Sequence, residues 1–548
     1  MRRALATGCA LLLACAAEPD GEGGQDVPKD RAGSGEDARG TREGVPKDRT
    51  SGTEGSGERR EPVGLDVQRE MGPSGPGLSR ERQDVPKDIS VASQRAGVVG
   101  PSEERRTTCL RRNAGAPGRY ARIVDVFCAE HHNLSGIGAS LAIVAGDGPP
   151  FVATAGEACF KQGQAVTATT RFRVGSITKL LTGSLVLRQV DAGRIALDDE
   201  VARVLPELAA GVDERAGAIT WRQLLSHTAG VPDPAPLVLG SEWLLALGER
   251  PLWREPGALW SYSSDGYAVV GAALAELRGV DYEQLLADEL LAPLGLDAGV
   301  VDPEMSLRTG AACGHLGRGD AARAFSVVDD LALGTGNARW TTPAGGAILS
   351  AAELARLALD LVDPARSPLS PAAQRELLTA EVPTFERSGE RYGLGVRVRN
   401  SGGRVIYGHG GATGDFAADL AFVPSEKFAV VVLSNNADPL RSTLAAVLQE
   451  MLGVAPERAE AMGPVDRYTG TYRASRFAEE VTISARGAGL WLSASALGLV
   501  DVGLEHAGDH RFRAAGRPDL GGFTFVFAPG DARASDLRGH VFVGARVE

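Results

Sequence analysis

Nothing in this chain reads as a metal-ligand pattern, a basic nucleic-acid stripe or a bilayer-spanning segment, and each absence removes a class of function. Neither C-x-x-C nor H-E-x-x-H spacing occurs, so no zinc site or other cofactor is implied. The pair His131-His132 lacks a carboxylate at ligand spacing and reads as a solvated helix end. A formal net charge of -12, without any long run of Lys and Arg, argues against a nucleic-acid partner. The apolar run Ala4 to Ala14 is too short to cross a membrane as a helix. Aromatic residues are few, at 5%, yet 43% of the 548 residues are hydrophobic, enough to bury a sizeable core.

What is plentiful is glycine, with 70 copies, and proline, with 30, both somewhat enriched near the N-terminus. Arg2 and Arg3 before Ala4 to Ala14 form the charged and apolar parts of an export signal. Leu12-Leu13-Ala14-Cys15 resembles a bacterial lipoprotein box, which implies cleavage before Cys15, its acylation, and a lipid-anchored location in the cell envelope. Residues 16–108 are rich in Gly, Ser, Glu, Asp, Arg and Pro, and three copies of Val-Pro-Lys-Asp punctuate them at Val27, Val45 and Val85. Such a segment cannot bury enough surface to fold and is expected to be a disordered tether. Four further cysteines, Cys109, Cys128, Cys159 and Cys313, allow three disulfide pairings in an oxidising compartment, and the sequence does not choose among them.

Chemistry is concentrated in three short boxes. Ser176 and Lys179 stand three residues apart in Arg173-Val174-Gly175-Ser176-Ile177-Thr178-Lys179. On a helix that spacing puts both side chains on one face, where a desolvated lysine amine can take the serine proton. Trp260-Ser261-Tyr262-Ser263-Ser264 forms a Tyr-bearing loop before the apolar run Ala268 to Leu277, and Tyr407-Gly408-His409-Gly410-Gly411-Ala412 a glycine-lined strand edge. In this order they resemble the S-x-x-K, Y-x-N and (K/H)-(T/S)-G boxes of penicillin-recognising serine hydrolases: class C β-lactamases, D-alanyl-D-alanine carboxypeptidases and related esterases. Leu197 to Leu208, Trp221 to Gly230, Ala344 to Ser350 and Tyr392 to Gly395 are similar to that family as well.

An α+β fold follows. Ala139 to Val144 and Phe151 to Ala155 are β-prone runs around a Gly146-Asp147-Gly148 turn; Arg404 to Tyr407, Phe416 to Val423 and Phe428 to Leu433 are three more, and the intervening stretches are mainly helical. This predicts an antiparallel sheet built from both ends of a 109–458 domain, flanked by helices and carrying an inserted helical subdomain. Apolar residues on most faces after Ser176 predict a buried helix that Gly193 ends. Residues 463–548 alternate in short strands and look like the small lipocalin-like β-barrel often appended to the family.

The resemblance implies roles. Ser176 is the nucleophile, Lys179 and Tyr262 handle the proton, and backbone N–H groups of Ser176 and Ala412 hold the oxyanion. Ser264, His409, Gly410 and Gly411 line the substrate. Two residues depart from the pattern. Ser264 stands where an Asn is usual, and Gly410 where a Thr or Ser would offer a hydroxyl to a substrate carboxylate. The expectation is a membrane-anchored hydrolase acting through an acyl-enzyme on amide, peptide or ester bonds of small-molecule or peptide substrates, peptidoglycan among them, with weak or no β-lactamase activity. The alternatives are a catalytically silent relative that binds wall peptides or a protein partner, and a metal-dependent amidohydrolase for which the sequence offers no ligands.

Overall fold

The computed structural model describes residues 101–232, 243–300, 310–325 and 342–546, a few short stretches inside those spans excepted. The export signal, Cys15 and the Val-Pro-Lys-Asp repeats lie outside the described residues. Two helices, α1 (Pro101–Arg112) and α2 (Gly118–Asn133), lead into strands β1 (Gly138–Ala145), β2 (Phe151–Cys159), β3 (Gln164–Ala165) and β4 (Phe172–Arg173). Then come helices α3 (Thr178–Asp191) and α4 (Ser264–Arg278), strands β5 (Gly314–Leu316), β6 (Arg323–Phe325) and β7 (Ile348–Leu349), and helix α5 (Ala351–Asp360), with shorter helical turns between them. Strands β8 (Val382–Pro383), β9 (Arg391–Tyr392), β10 (Arg397–Ser401), β11 (Arg404–Ala412), β12 (Ala417–Val423) and β13 (Phe428–Ser434) precede α6 (Arg441–Leu452).

Nine of these strands form one sheet in the order β3-β2-β1-β13-β12-β11-β10-β9-β8. The seam is β1 against β13, antiparallel from Ala139 opposite Ser434 to Ala145 opposite Phe428. Both ends of the domain therefore meet in the middle of its sheet. Period-two alternation explains how the sheet is covered. Along β13, Val430 and Val432 join a core with Ile123 and Phe127 of α2 and Val447 of α6. Val431 and Leu433 point the other way, into a core with Leu180, Leu181 and Leu185 of α3 and Leu354 of α5. Every residue of β13 is buried as a result.

Helix α3 is the buried central helix, with Lys179, Leu180, Leu181, Leu185, Val186 and Leu187 all inside. Gly193, at φ +67°, follows its C-cap Ala192. The β1–β2 turn contains Gly146 at φ +73°.

Two expectations are corrected at the N-terminal edge. Helix α1 begins at Pro101, inside the segment assigned to the tether that ends at residue 108. A Cys109–Cys128 disulfide pins α1 to α2, and just beyond α1 Asn113 hydrogen-bonds to the backbone of Thr154 in β2, so covalent and sheet-edge contacts order a polar sequence. His131 is not solvated: it is 4% exposed at the end of α2. Burial pushes its pKa down to about 4. The other disulfide joins Cys159, at the end of β2, to Cys313, immediately before β5.

Eight antiparallel strands between Gly470 and Arg546 close into a barrel. Tyr468, Tyr472, Phe512 and Phe527 pack in its interior against Leu490 and Leu492. Those aromatics are core.

Candidate active site

Ser176 sits in a 3-10 turn, Gly175–Ile177, that feeds directly into α3. Lys179 lies one turn on, fully buried, with its Nζ at hydrogen-bond distance from Ser176 Oγ at 3.1 Å, Ser264 Oγ at 3.4 Å and the carbonyl of Ala344 at 2.9 Å. All three oxygens are neutral. The Nζ also lies 4.8 Å from the ring centre of Tyr262 and 5.4 Å from that of Tyr267. A buried amine touching a partly exposed serine hydroxyl is the arrangement that proton transfer to Lys179 needs.

The turn is fixed from two sides. Thr178 Oγ1 donates to Gly175 O and accepts from Ala347 N, which clasps it to the loop before β7. Gly175 has φ +52°, and a Cβ there would lie 2.7 Å from Ala412 N. Strand β11 supplies the facing wall. Thr413 donates to Phe416 O, so the neighbouring Ala412–Ala417 pair is non-hydrogen-bonded and the Ala412 N–H faces away from β12. Strand β10 stops pairing at Gly408, and no other strand covers that edge among the described residues. The Ala412 N–H thus points toward the Gly175–Ser176 turn across an open edge, where an oxyanion can be bound.

The structure places the sequence-predicted residues as follows. Ser176, Tyr262 and Ser264 meet around Lys179 Nζ. Gly411 packs against Val174 and Ala412 approaches Gly175. Gly410 lies opposite Asp419 of β12, on the other face of the strand from Gly411. His409 stands apart: only 5% exposed, its Nδ1 donates to Gly410 O and its Nε2 accepts from the Tyr392 hydroxyl. Burial, with Arg397 and Lys179 nearby, holds its pKa well below the usual histidine range. It is therefore a neutral ring whose two nitrogens are both used within the protein.

Several site residues carried no clear signal. His227 adopts φ +60°, accepts from Ser263 N through Nδ1 and lies 4.3 Å, ring to ring, from Tyr262. It lies in the family-like stretch Trp221 to Gly230, in which nothing local marks its ring for the site. Trp260, Tyr267 and Tyr392 complete an aromatic wall around it. Burial raises the Tyr267 and Tyr392 phenols well above their usual range, so both remain neutral donors. Arg397 lies 5.8 Å from the ring centres of both Trp260 and Tyr392 and is salt-bridged to Glu386 and Glu390. Among the described residues no cluster of His, Cys, Asp or Glu could hold a metal ion.

Comparison with known proteins agrees with this geometry. Residues 125–453 match the family described as Beta-lactamase. A penicillin-binding protein 4 of Amycolatopsis lactamdurans is 31% identical over 344 residues, which are 60% of this chain and 87% of that protein. A D-aminopeptidase of Gluconobacter oxydans is 26% identical over 58% of this chain and 59% of its own length. Among solved structures, that of SurE aligns with a TM-score of 0.61 and 26% identity, covering 79% of this chain and all of the other. A class C beta-lactamase aligns over 62% of this chain and 97% of its own at 20% identity, TM-score 0.52, a likeness of fold. The chain belongs to the beta-lactamase family of serine hydrolases.

Proposed function

We propose that the protein is an acyl-transfer hydrolase of small amides, peptides or esters, of D,D-peptidase or esterase type, with weak or no β-lactamase activity. The observation that carries this is Lys179 Nζ in contact at once with Ser176 Oγ and Ser264 Oγ beneath an open strand edge. The step requires Lys179 as the neutral amine: Ser176 Oγ attacks the substrate carbonyl as its proton passes to the Nζ lone pair, and the oxyanion forms between the N–H groups of Ser176 and Ala412. Tyr262, over the same amine, returns a proton to the leaving group. Water then releases the acyl group along the reverse path.

Substrates with D-configured residues are favoured by two likenesses, to a D-aminopeptidase and to SurE, which has been solved with D-Leu. Against β-lactams stand the short hydroxyl of Ser264, the absence of a hydroxyl at Gly410 and the uncharged His409. In this reading the protein is exported, lipidated at Cys15 and held in the cell envelope by the 16–100 segment; its C-terminal barrel is an accessory lipocalin-like unit, and the helices between β4 and β8 form an inserted subdomain. Labelling with a fluorophosphonate tests the chemistry. An adduct on the native chain that is missing from Ser176→Ala, together with turnover of p-nitrophenyl esters or D-alanyl peptides exceeding that of nitrocefin, is expected. No Ser176-dependent adduct would favour the silent, wall-binding alternative.

A further inference from the structure

The mechanism uses the Ala412 N–H but leaves unexplained what holds the strand that carries it. Strand β10 ends its pairing with β11 where Arg397 stands opposite Gly408, and Arg397 is paired on its other side with Tyr392 of β9. Tyr392, Arg397 and Gly408 thus form one row across three strands. Before Arg397 the chain turns away at Gly395, φ +96°, where a Cβ would lie 2.3 Å from the Lys179 carbonyl oxygen, so β10 goes no further along β11. The next residue of β11 is His409. Here side chains take over from the ladder: the Tyr392 hydroxyl lies 2.9 Å from His409 Nε2, and His409 Nδ1 lies 2.6 Å from the carbonyl oxygen of Gly410.

Counting protons fixes the direction of both bonds. A carbonyl oxygen only accepts, so Nδ1 carries the ring proton, Nε2 keeps its lone pair, and the Tyr392 O–H donates to it. Tyr392 is fully buried and His409 is 5% exposed, which spares both bonds competition from bulk water. Gly410 pairs with Asp419, two residues before the Ala412–Ala417 pair, so by the same alternation its carbonyl faces away from β12. The imidazole supplies the donor that a longer β10 would have given.

We infer that Tyr392 and His409 are positioning residues for the reaction: through the Gly410 carbonyl they hold the end of β11 that β10 leaves uncovered, and with it the Ala412 N–H, against the Ser176 turn. The inference rests on the acyl-transfer reading above and gives His409 its work in the strand rather than on the substrate. Without the Tyr392 hydroxyl the buried Nε2 lone pair loses its donor, the ring turns to find another, and the Gly410 carbonyl is released. The oxyanion donor, two residues on, then loses its anchor.

Two matched esters test it on the full chain: p-nitrophenyl acetate and p-nitrophenyl thionoacetate, whose sulfur accepts hydrogen bonds weakly and so gains less from oxyanion donors. Tyr392→Phe keeps the buried ring and deletes one oxygen. It should lower the maximal burst rate with the acetate roughly tenfold, less than the loss of a whole donor, and leave the half-saturating concentration within about twofold. With the thionoacetate it should cost less than about threefold, so the preference for oxygen narrows. His409→Asn places an amide N–H near the Nδ1 position and needs no proton from Tyr392; it should stay within about threefold of the native rate, and adding Tyr392→Phe to it should cost less than about twofold more. In 1H–15N spectra of the native chain the His409 ring proton should sit on Nδ1. A raised half-saturating concentration at unchanged maximal rate, equal losses on both esters, a full tenfold further loss in the double variant, or a proton on Nε2 overturns the clamp while the hydrolase reading stands. If native Ser176 is acylated by neither ester and takes no fluorophosphonate, both readings fall together.

Discussion

Replacing Gly411 with alanine is the sharpest test of how the oxyanion site is assembled. A Cβ at 411 would lie 1.9 Å from the carbonyl oxygen of Val174 and 2.9 Å from its carbon, roughly 1.5 Å inside ordinary van der Waals contact. Both atoms belong to backbone, so no side chain can rotate aside. The strand must retreat from the Val174–Ser176 turn by something near that distance, which takes the N–H of Ala412 away from that of Ser176. Loss of one oxyanion donor lowers kcat by roughly a hundredfold to a thousandfold, whereas overpacking costs the fold only about 1–3 kcal/mol. Gly411→Ala should therefore melt a few degrees low yet stay folded. Its acylation by a p-nitrophenyl ester, followed as the p-nitrophenol burst, should be slower by that factor. Gly410→Ala is the internal comparison: its Cβ meets the Asp419 carboxylate at an unstrained 3.4 Å, on the other face, and should cost less than about tenfold. An alanine at 411 that acylates within about threefold of the native rate would refute the placement of the Ala412 donor.

Three further outcomes are expected. Lys179→Met removes the base and should abolish Ser176 acylation, yet it replaces a fully buried polar amine with an apolar chain of similar volume, so the melting temperature should hold or rise; a variant that melts lower and keeps its activity would show the amine to be structural. The Cys159–Cys313 bridge spans 154 residues and Cys109–Cys128 only 19, so by chain entropy Cys313→Ala should cost about 4–5 kcal/mol and Cys128→Ala about 3, measured by urea unfolding; the reverse order would point to enthalpic control. His131 has a folded pKa near 4 against 6.5 unfolded, so between those values the unfolded chain binds the extra proton and stability falls as pH falls, by up to about 3 kcal/mol, with no further loss below pH 4. Asp419, raised to about 6 by burial, acts with the opposite sign, so the comparison is made between native protein and His131→Phe, whose urea-unfolding free energy should be the flatter of the two over this range.

How much of this could be read from sequence depended on range. Ser176 and Lys179 are separated by one helical turn, so local geometry alone brings them together, and the two glycines after His409 announced a strand that another backbone approaches closely. The sheet seam was legible because the β-prone runs cluster at both ends of the domain. What failed to show were contacts made by folding over distance. His227, Tyr392 and Arg397 become site residues only when the loop carrying His227 packs against the neighbouring strands β9 and β10. His409 occupies the box position by spacing, but its ring bonds Tyr392 rather than facing an open substrate side, a matter of side-chain direction that motif spacing does not encode. His131 looked solvated because it ends a helix; the chain then turns back through Gly136, and a Cβ added there would lie 2.7 Å from its ring.

The antiparallel seam of β1 with β13 has a consequence for the timing of activity. An emerging chain delivers the nucleophile early, but the donor strand and the sheet's central partner come last, so a ribosome must finish nearly the entire domain before any catalytic pocket exists. Partial products of synthesis or proteolysis carry the serine without its oxyanion cradle, and a hydrolase built in this way stays inert until it is whole.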